Sequence, residues 1–230
     1  MGSVTVDVIG PAALAALFQD VGHGVFPPAD GAVRVIRQPT DGDAAVLGFT
    51  AHIVVAADVE PEWVAARLPP GDLSAPLNPP FLSALCERLD RRVNSLDLVA
   101  YATVFDGPPE IPLTSVGAVS HPRVRRAQHY RTDARVWSTE GGILVLGRGL
   151  AGRLEVAFEV DPDHRGRGLG RALAQSARQL AREIDPGAGG VWAQVSPGNA
   201  ASVRALVAAG YGAVGSEALL VPMARRLPGG

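Results

Sequence analysis

Lysine is absent from this 230-residue sequence, so all 21 basic residues are arginine. That excludes a lysine Schiff base, a pyridoxal anchor and the lysine of a Walker phosphate loop. The single cysteine, Cys86, excludes an intramolecular disulfide and a cysteine zinc cluster, and its helical neighbours predict a buried, inert thiol. Aromatic residues are only 5% of the chain, and Tyr130 and Trp137 are too few beside the arginines to argue base stacking, so a nucleic-acid partner is not expected. The histidines His23, His52, His121, His129 and His164 show no H-x-x-x-H or H-E-x-x-H spacing, so no metal site is expected. No apolar run approaches the roughly 18 residues of a membrane span, and the N-terminus lacks a basic stretch leading into an apolar one. A cytoplasmic protein without a membrane partner is the expectation.

What is present fits a folded α/β chain: 47% hydrophobic residues, 19% charged, with 27 glycines and 19 prolines punctuating the elements. The length allows one large domain or two small ones. Net charge is only −2, but residues 1–115 hold 6 arginines against 14 acids and residues 116–230 hold 15 against 9. The second half is therefore suited to an anionic ligand, although a basic surface that merely balances the acidic half reads the same way.

In the first half, short helices are expected at Pro11 to Asp20 and Glu60 to Leu68, with strand-like runs at Ala32 to Gln38 and Ala44 to Ala57. The turn residues Asp41, Gly42 and Asp43 suggest a hairpin between those runs. A helix from Phe81 to about Asn94 places Phe81, Leu82, Leu85, Cys86, Leu89 and Val93 on one face. A strand from Leu96 to Phe105 ends at Gly107, Pro108, Pro109 and Pro112, the best internal boundary, so the division expected is 1–115 and 116–230. In the second half a basic helix at Arg123 to Tyr130 precedes a meander of three strands, Arg135 to Thr139, Ile143 to Gly147 and Leu154 to Val160. The period then becomes helical, with Leu169, Leu173, Leu180 and Ile184 on one stripe, closed by Asp185-Pro186-Gly187. A strand at Val191 to Val195 and a helix from Asn199 to Ala209, stopped by Gly210, complete the pattern.

The third meander strand runs through Asp161-Pro162-Asp163-His164 into Arg165-Gly166-Arg167-Gly168-Leu169-Gly170 and straight into a helix. A strand, a glycine turn and a helix start make an anion site, because first-turn N–H groups lack helical partners and glycine lets a phosphate approach the backbone. Arg165, Arg167 and Arg171 add charge suited to a diphosphate. A dinucleotide fingerprint fits poorly, since the third glycine would fall on Arg171. Glycines serving only a tight turn and close helix packing remain the structural alternative.

These residues resemble the GCN5-related N-acetyltransferases, the GNAT family. Phe158-Glu159-Val160-Asp161-Pro162 and the arginine-glycine run after it resemble the family's R-x-x-G-x-G pyrophosphate signature. Asn199-Ala200-Ala201-Ser202 with Gly210-Tyr211 resembles its asparagine helix and terminal G-F or G-Y. The resemblance covers roughly residues 135–221. It implies a mixed, mostly antiparallel central sheet flanked by helices, extended by an N-terminal α/β region of unassigned role that supplies part of the acceptor site or stands as a separate domain.

The resemblance also implies acetyl-CoA as cosubstrate. Its pantetheine arm would lie between the splayed strands Leu154 to Val160 and Val191 to Val195, near Phe158, Val160 and Asn199. The diphosphate would rest on the N–H groups of Arg165, Gly166, Arg167, Gly168, Leu169, Gly170 and Arg171. Direct attack of a primary amine on the thioester needs a proton acceptor. Strand alternation puts Glu155, Ala157 and Glu159 on one face, and in the family a side-chain base sits near this strand's middle, so Glu155 ranks first and Glu159 second. Either glutamate pairing with an arginine such as Arg135 or Arg153 is the structural alternative. The family's tyrosine that protonates the departing thiolate falls here on Leu206, which leaves Tyr211, Tyr130 or solvent. The function expected is acyl-CoA-dependent N-acyl transfer, most simply acetyl transfer, to an unidentified amine; a non-catalytic acyl-CoA sensor or interaction module is the alternative. A homodimer is compatible with the sequence and not specified by it.

Overall fold

The computed structural model describes residues 10, 12–38, 42–117 and 120–225. The chain forms two units, one running to Leu98 and resuming at Val214, the other spanning Val99–Ala213. The first contains α1 (Ala12–Gly22), β1 (Val33–Ile36), β2 (Ala44–Phe49), β3 (His52–Ala56), α2 (Pro61–Ala65) and α3 (Pro79–Leu89). The strand β4 (Arg91–Thr103) begins in the first unit and ends in the second. The second unit continues with β5 (Thr114–Val116), α4 (Pro122–Tyr130), β6 (Thr132–Thr139), β7 (Gly142–Arg148), β8 (Leu154–Val160), α5 (Leu169–Ile184), β9 (Gly190–Val195) and α6 (Ala200–Ala208), and β10 (Gly212–Pro222) returns to the first.

In the first unit the strand order is β1-β3-β2-β10. β1 and β3 pair in parallel, while β2 is antiparallel to both β3 and β10. The hairpin lies inside the apolar run 44–57, where Thr50 and Ala51 turn the chain with Ala51 at φ 48°. This corrects the expectation of a hairpin between 32–38 and 44–57; Asp41 and Pro11 lie outside the described residues. No glycine or proline marks the real turn, so residue types alone could not reveal it. The core joins Val33, Val35, Val46 and Val55 to Phe81, Leu82 and Leu85 of α3, with Cys86 partly buried against them. α3 stops at Leu89 because Asp90 adopts a left-handed conformation, φ 52°. Residues 91–94 are therefore strand rather than helix, and Val93 is exposed.

In the second unit β5-β6-β7-β8 form an antiparallel meander, and β9 lies parallel beside β8. Helices flank both faces. α4 buries Val124 and Ala127 against Val136, Ile143 and Val145, with Ala157 packed on the same cluster. α5 buries Leu173, Ala174, Ala177, Leu180 and Ala181, the i, i+1, i+4, i+7, i+8 stripe of an amphipathic helix. The proline-rich stretch 107–112 lies within this unit, not between the units. It is tied to α5, where Gln179 donates to the Pro108 carbonyl at 2.5 Å and Gln175 to Glu110. Helix anchoring thus accounts for a segment whose composition reads as a boundary.

Candidate active site

β7 accompanies β8 along its whole length, from Arg148↔Leu154 to Gly142↔Val160. β9 does not. The parallel β8–β9 register consists of a single position, Glu155↔Trp192. Beyond it the two strands no longer pair, so among the described residues the edge of β8 over residues 156–160 has no strand partner on the β9 side. Strand backbone left in this state is an acceptor for an extended ligand that supplies the missing hydrogen bonds.

The open end of this gap leads to the glycine turn. Pro162–His164 make one turn of 3-10 helix, and Arg165 Nε donates to the Val160 carbonyl at 3.1 Å, fastening the turn to the strand end. Gly166 and Gly168 have φ of 75° and 86°, and a Cβ on either would meet nothing within 4 Å. The open space shows that these two glycines serve backbone conformation and access rather than packing. Gly170 differs. Its Cα packs near Ala205, Phe158 and Val160, all at ordinary contact distance from a built Cβ, which places Phe158 and Val160 on the α5 face of β8. Among the described residues no backbone carbonyl accepts from the N–H groups of Gly166 to Arg171. With the exposed Arg165, Arg167 and Arg171 they make the positive end of α5 a cationic turn with open backbone donors.

Asn199 is exposed and caps α6, its Oδ1 accepting from Ser202 N–H at 3.1 Å. At the other end of α6, Gly210 (φ 86°) stops the helix and leaves room for Arg178, which donates to the carbonyls of Ala209 and Thr103, each at 2.7 Å. Tyr211 is 2% exposed, and its hydroxyl donates to the Ala174 carbonyl at 3.1 Å. Burial pushes that hydroxyl far above the ordinary tyrosine range, and its bond to Ala174 anchors the end of α6 to α5. Leu206 is buried. The His164 ring packs over Gly141, with Nε2 3.8 Å from Glu140 Oε1.

The two glutamates of β8 occupy unlike surroundings. Glu155 is 4% exposed. Its Oε1 accepts from Arg153 Nε at 2.8 Å and from Gln194 Nε2 at 2.5 Å, and its Oε2 lies 2.9 Å from Arg131 Nε. Arg131 also donates to Gln194 Oε1 at 3.3 Å, and Gly149 packs its backbone against the carboxylate, where a side chain would collide. Burial alone would raise the Glu155 carboxyl, but the charges of Arg153 and Arg131 and the hydrogen bonds from Arg153 and Gln194 outweigh it and hold the group below the usual carboxylate range. Such a carboxylate accepts a proton poorly at neutral pH. Glu159 is more open, 38% exposed at the side chain, and accepts from Arg123 Nε at 3.2 Å. Of the two arginines expected as pairing partners, Arg153 takes part, and Arg131 stands where Arg135 was expected. Gln194, Arg131 and Gly149 carried no sequence signal, since they converge from β9, the end of α4 and the β7–β8 connection. Arg153 was legible, two residues from Glu155 on one strand face.

Residues 142–211 match the model of the acetyltransferase (GNAT) family. This segment is similar to the GNAT acetyltransferases. It contains the β8–β9 gap, the glycine turn and α6, so the GNAT match and the geometry coincide. No curated protein matches the chain. Similar solved structures include a GCN5-related N-acetyltransferase from Kribbella flavida, 18% identical over 65% of this chain and 64% of that one, with a TM-score of 0.39. Another, from Sphaerobacter thermophilus, is 19% identical over 60% of this chain and 54% of that one, TM-score 0.38. A tandem GNAT protein from the clavulanic acid biosynthesis pathway is 11% identical over 62% and 58%, TM-score 0.40. The chain thus spans less than two thirds of the length of each of these three. Among the described residues no helix is long and apolar enough to cross a membrane, and no group of three or more metal-ligating side chains occurs.

Proposed function

We propose that the second unit transfers an acetyl group from acetyl-CoA to a primary amine by direct attack. The observation that supports this most is the parting of β8 and β9 after Glu155↔Trp192, next to a turn whose N–H groups from Gly166 to Arg171 lack backbone acceptors. One opening suits an extended pantetheine arm and the other its diphosphate. Phe158 and Val160 flank the arm on the α5 side, and Asn199, its Oδ1 committed to the α6 cap, has its amide N–H₂ to offer. In the reaction the amine nitrogen bonds to the carbonyl carbon, the C–S bond breaks, and the proton lost by the amine balances the thiolate that leaves. A coenzyme thiol of ordinary acidity, near pKa 8.5, leaves without a dedicated acid, consistent with Leu206 at the family's tyrosine position.

For proton uptake we favour Glu159, or water beside it, over Glu155, because Glu155 is an anion already committed to two guanidiniums and an amide. Glu155 is a positioning residue in this reading. It ties β8, β9 and the end of α4 together where the gap begins. A second reading, an acyl-CoA-binding module without turnover, draws on the same commitment of Glu155 and on the burial of Leu206 and Tyr211. A panel of primary amines with acetyl-CoA, read as free thiol, separates the two. Amine-dependent thiol release supports transfer, while tight CoA binding with no release from any amine supports the second reading.

A further inference from the structure

We propose that the acceptor is an amine carrying its own oxyanion, a carboxylate or a phosphate, and that Arg126 on α4 takes that anion; this rests on acetyl transfer at the β8–β9 gap. α4 carries arginines at 123, 125 and 126, Arg131 follows it, and no acid occurs from Ser120 to Thr132. Arg123, Arg126, Ala127 and Tyr130 stand at i, i+3, i+4 and i+7, the spacing of one helix flank. That flank is turned to β8. Arg123 reaches Glu159, and Ala127 belongs to the cluster on which Ala157 packs. Just past the helix, Arg131 reaches Glu155.

Both acids of β8 are thus answered by arginines, and Arg126 is left over. Its guanidinium lies 5.3 Å from the Tyr130 ring centroid, and among the described residues no carboxylate lies within ion-pairing distance of it. It is exposed, on the flank whose Arg123 and Ala127 meet β8, the strand that pairs with β9 at Glu155 alone. A bare ammonium approaching that flank meets guanidiniums first and is repelled. An amine that brings an oxyanion instead gains a charge-assisted bond with the planar fork of Arg126, held by the tyrosine face.

The test uses matched acceptors with acetyl-CoA and thiol release: glycine against glycinamide, and phosphoethanolamine against ethanolamine, with rates referred to the free-amine fraction. In at least one pair the anionic member should have a kcat/KM tenfold or more above its neutral counterpart, and the pair that shows it tells carboxylate from phosphate. Arg126→Ala should raise KM for that member about tenfold and bring the ratio toward one, with partial recovery in Arg126→Lys. Arg125→Ala, whose guanidinium is bonded to Ser120 Oγ, should keep the ratio. Equal use of both members, or a preference that survives Arg126→Ala, overturns the acceptor proposal alone. No release from these four with release from another amine of the panel overturns the acceptor proposal alone, and no release from any amine overturns acetyl transfer and the acceptor proposal with it.

Discussion

Replacing Glu155 by glutamine keeps the side chain's shape and removes one charge from a cluster that is almost dry. The carboxylate accepts from Arg153 Nε at 2.8 Å and Gln194 Nε2 at 2.5 Å through one oxygen, and its other oxygen is ion-paired with Arg131 Nε at 2.9 Å. An amide offers one oxygen, so in either orientation its N–H₂ faces a guanidinium. Breaking a buried ion pair from one side costs about 3–5 kcal/mol, and the side chains of Arg153 and Arg131 are only 2% and 12% exposed. For a chain of this size that lowers Tm by roughly 10 °C. The pH dependence has a definite sign. The folded carboxyl titrates below its unfolded value, near 4.3, so its contribution is complete above that value and is lost as pH falls through the folded one. The gap in Tm between parent and Glu155→Gln should therefore be widest near pH 7 and close in acid. Thermal unfolding by circular dichroism from pH 7 to pH 3 measures it. A variant that melts with the parent at pH 7 yet loses 10²- to 10⁴-fold in turnover, with recovery at higher pH, would refute the argument and make Glu155 the proton acceptor.

The remaining predictions are smaller in scope. Acetyl-CoA and CoA should stabilise the protein and NAD should not; at micromolar affinity and millimolar ligand the gain is about 3–4 kcal/mol, and an unmoved melting curve removes the diphosphate cradle. Gly168→Val should abolish CoA binding in calorimetry, because φ 86° and an open approach are both lost, while the strain of about 1–2 kcal/mol leaves the far-ultraviolet dichroism of the folded chain in place; unfolding instead of lost binding would assign the glycine to packing. Tyr211→Phe should cost about 1 kcal/mol by removing the bond from its hydroxyl to the Ala174 carbonyl and leave turnover near that of the parent, whereas a large fall in turnover at full stability would make Tyr211 a proton donor.

Local pattern carried the second unit. Alternation along Leu154 to Val160, helical spacing from Leu169 and the glycine turn between them are neighbours in sequence, and the hydrogen bonds and caps that realise them are short-range, so the residues specify them directly. β10, which begins just past Tyr211, and the short β5 went unread because their residues gain strand structure only from partners distant in the chain. The same reason hid the β2–β3 turn at Thr50 and Ala51, where pairing forces a non-glycine residue to positive φ. Residue types alone gave the two glutamates of β8 equal standing, since alternation puts both on one face, and the ranking of Glu155 above Glu159 came from the resemblance. Only tertiary structure separates them, by bringing Arg131 from the end of α4, Gln194 from β9 and the bare backbone of Gly149 around Glu155, while Glu159 receives one guanidinium and solvent. The charge state of a carboxylate depends on what lies within a few ångströms of it, and those neighbours arrive through folding, from positions up to tens of residues away.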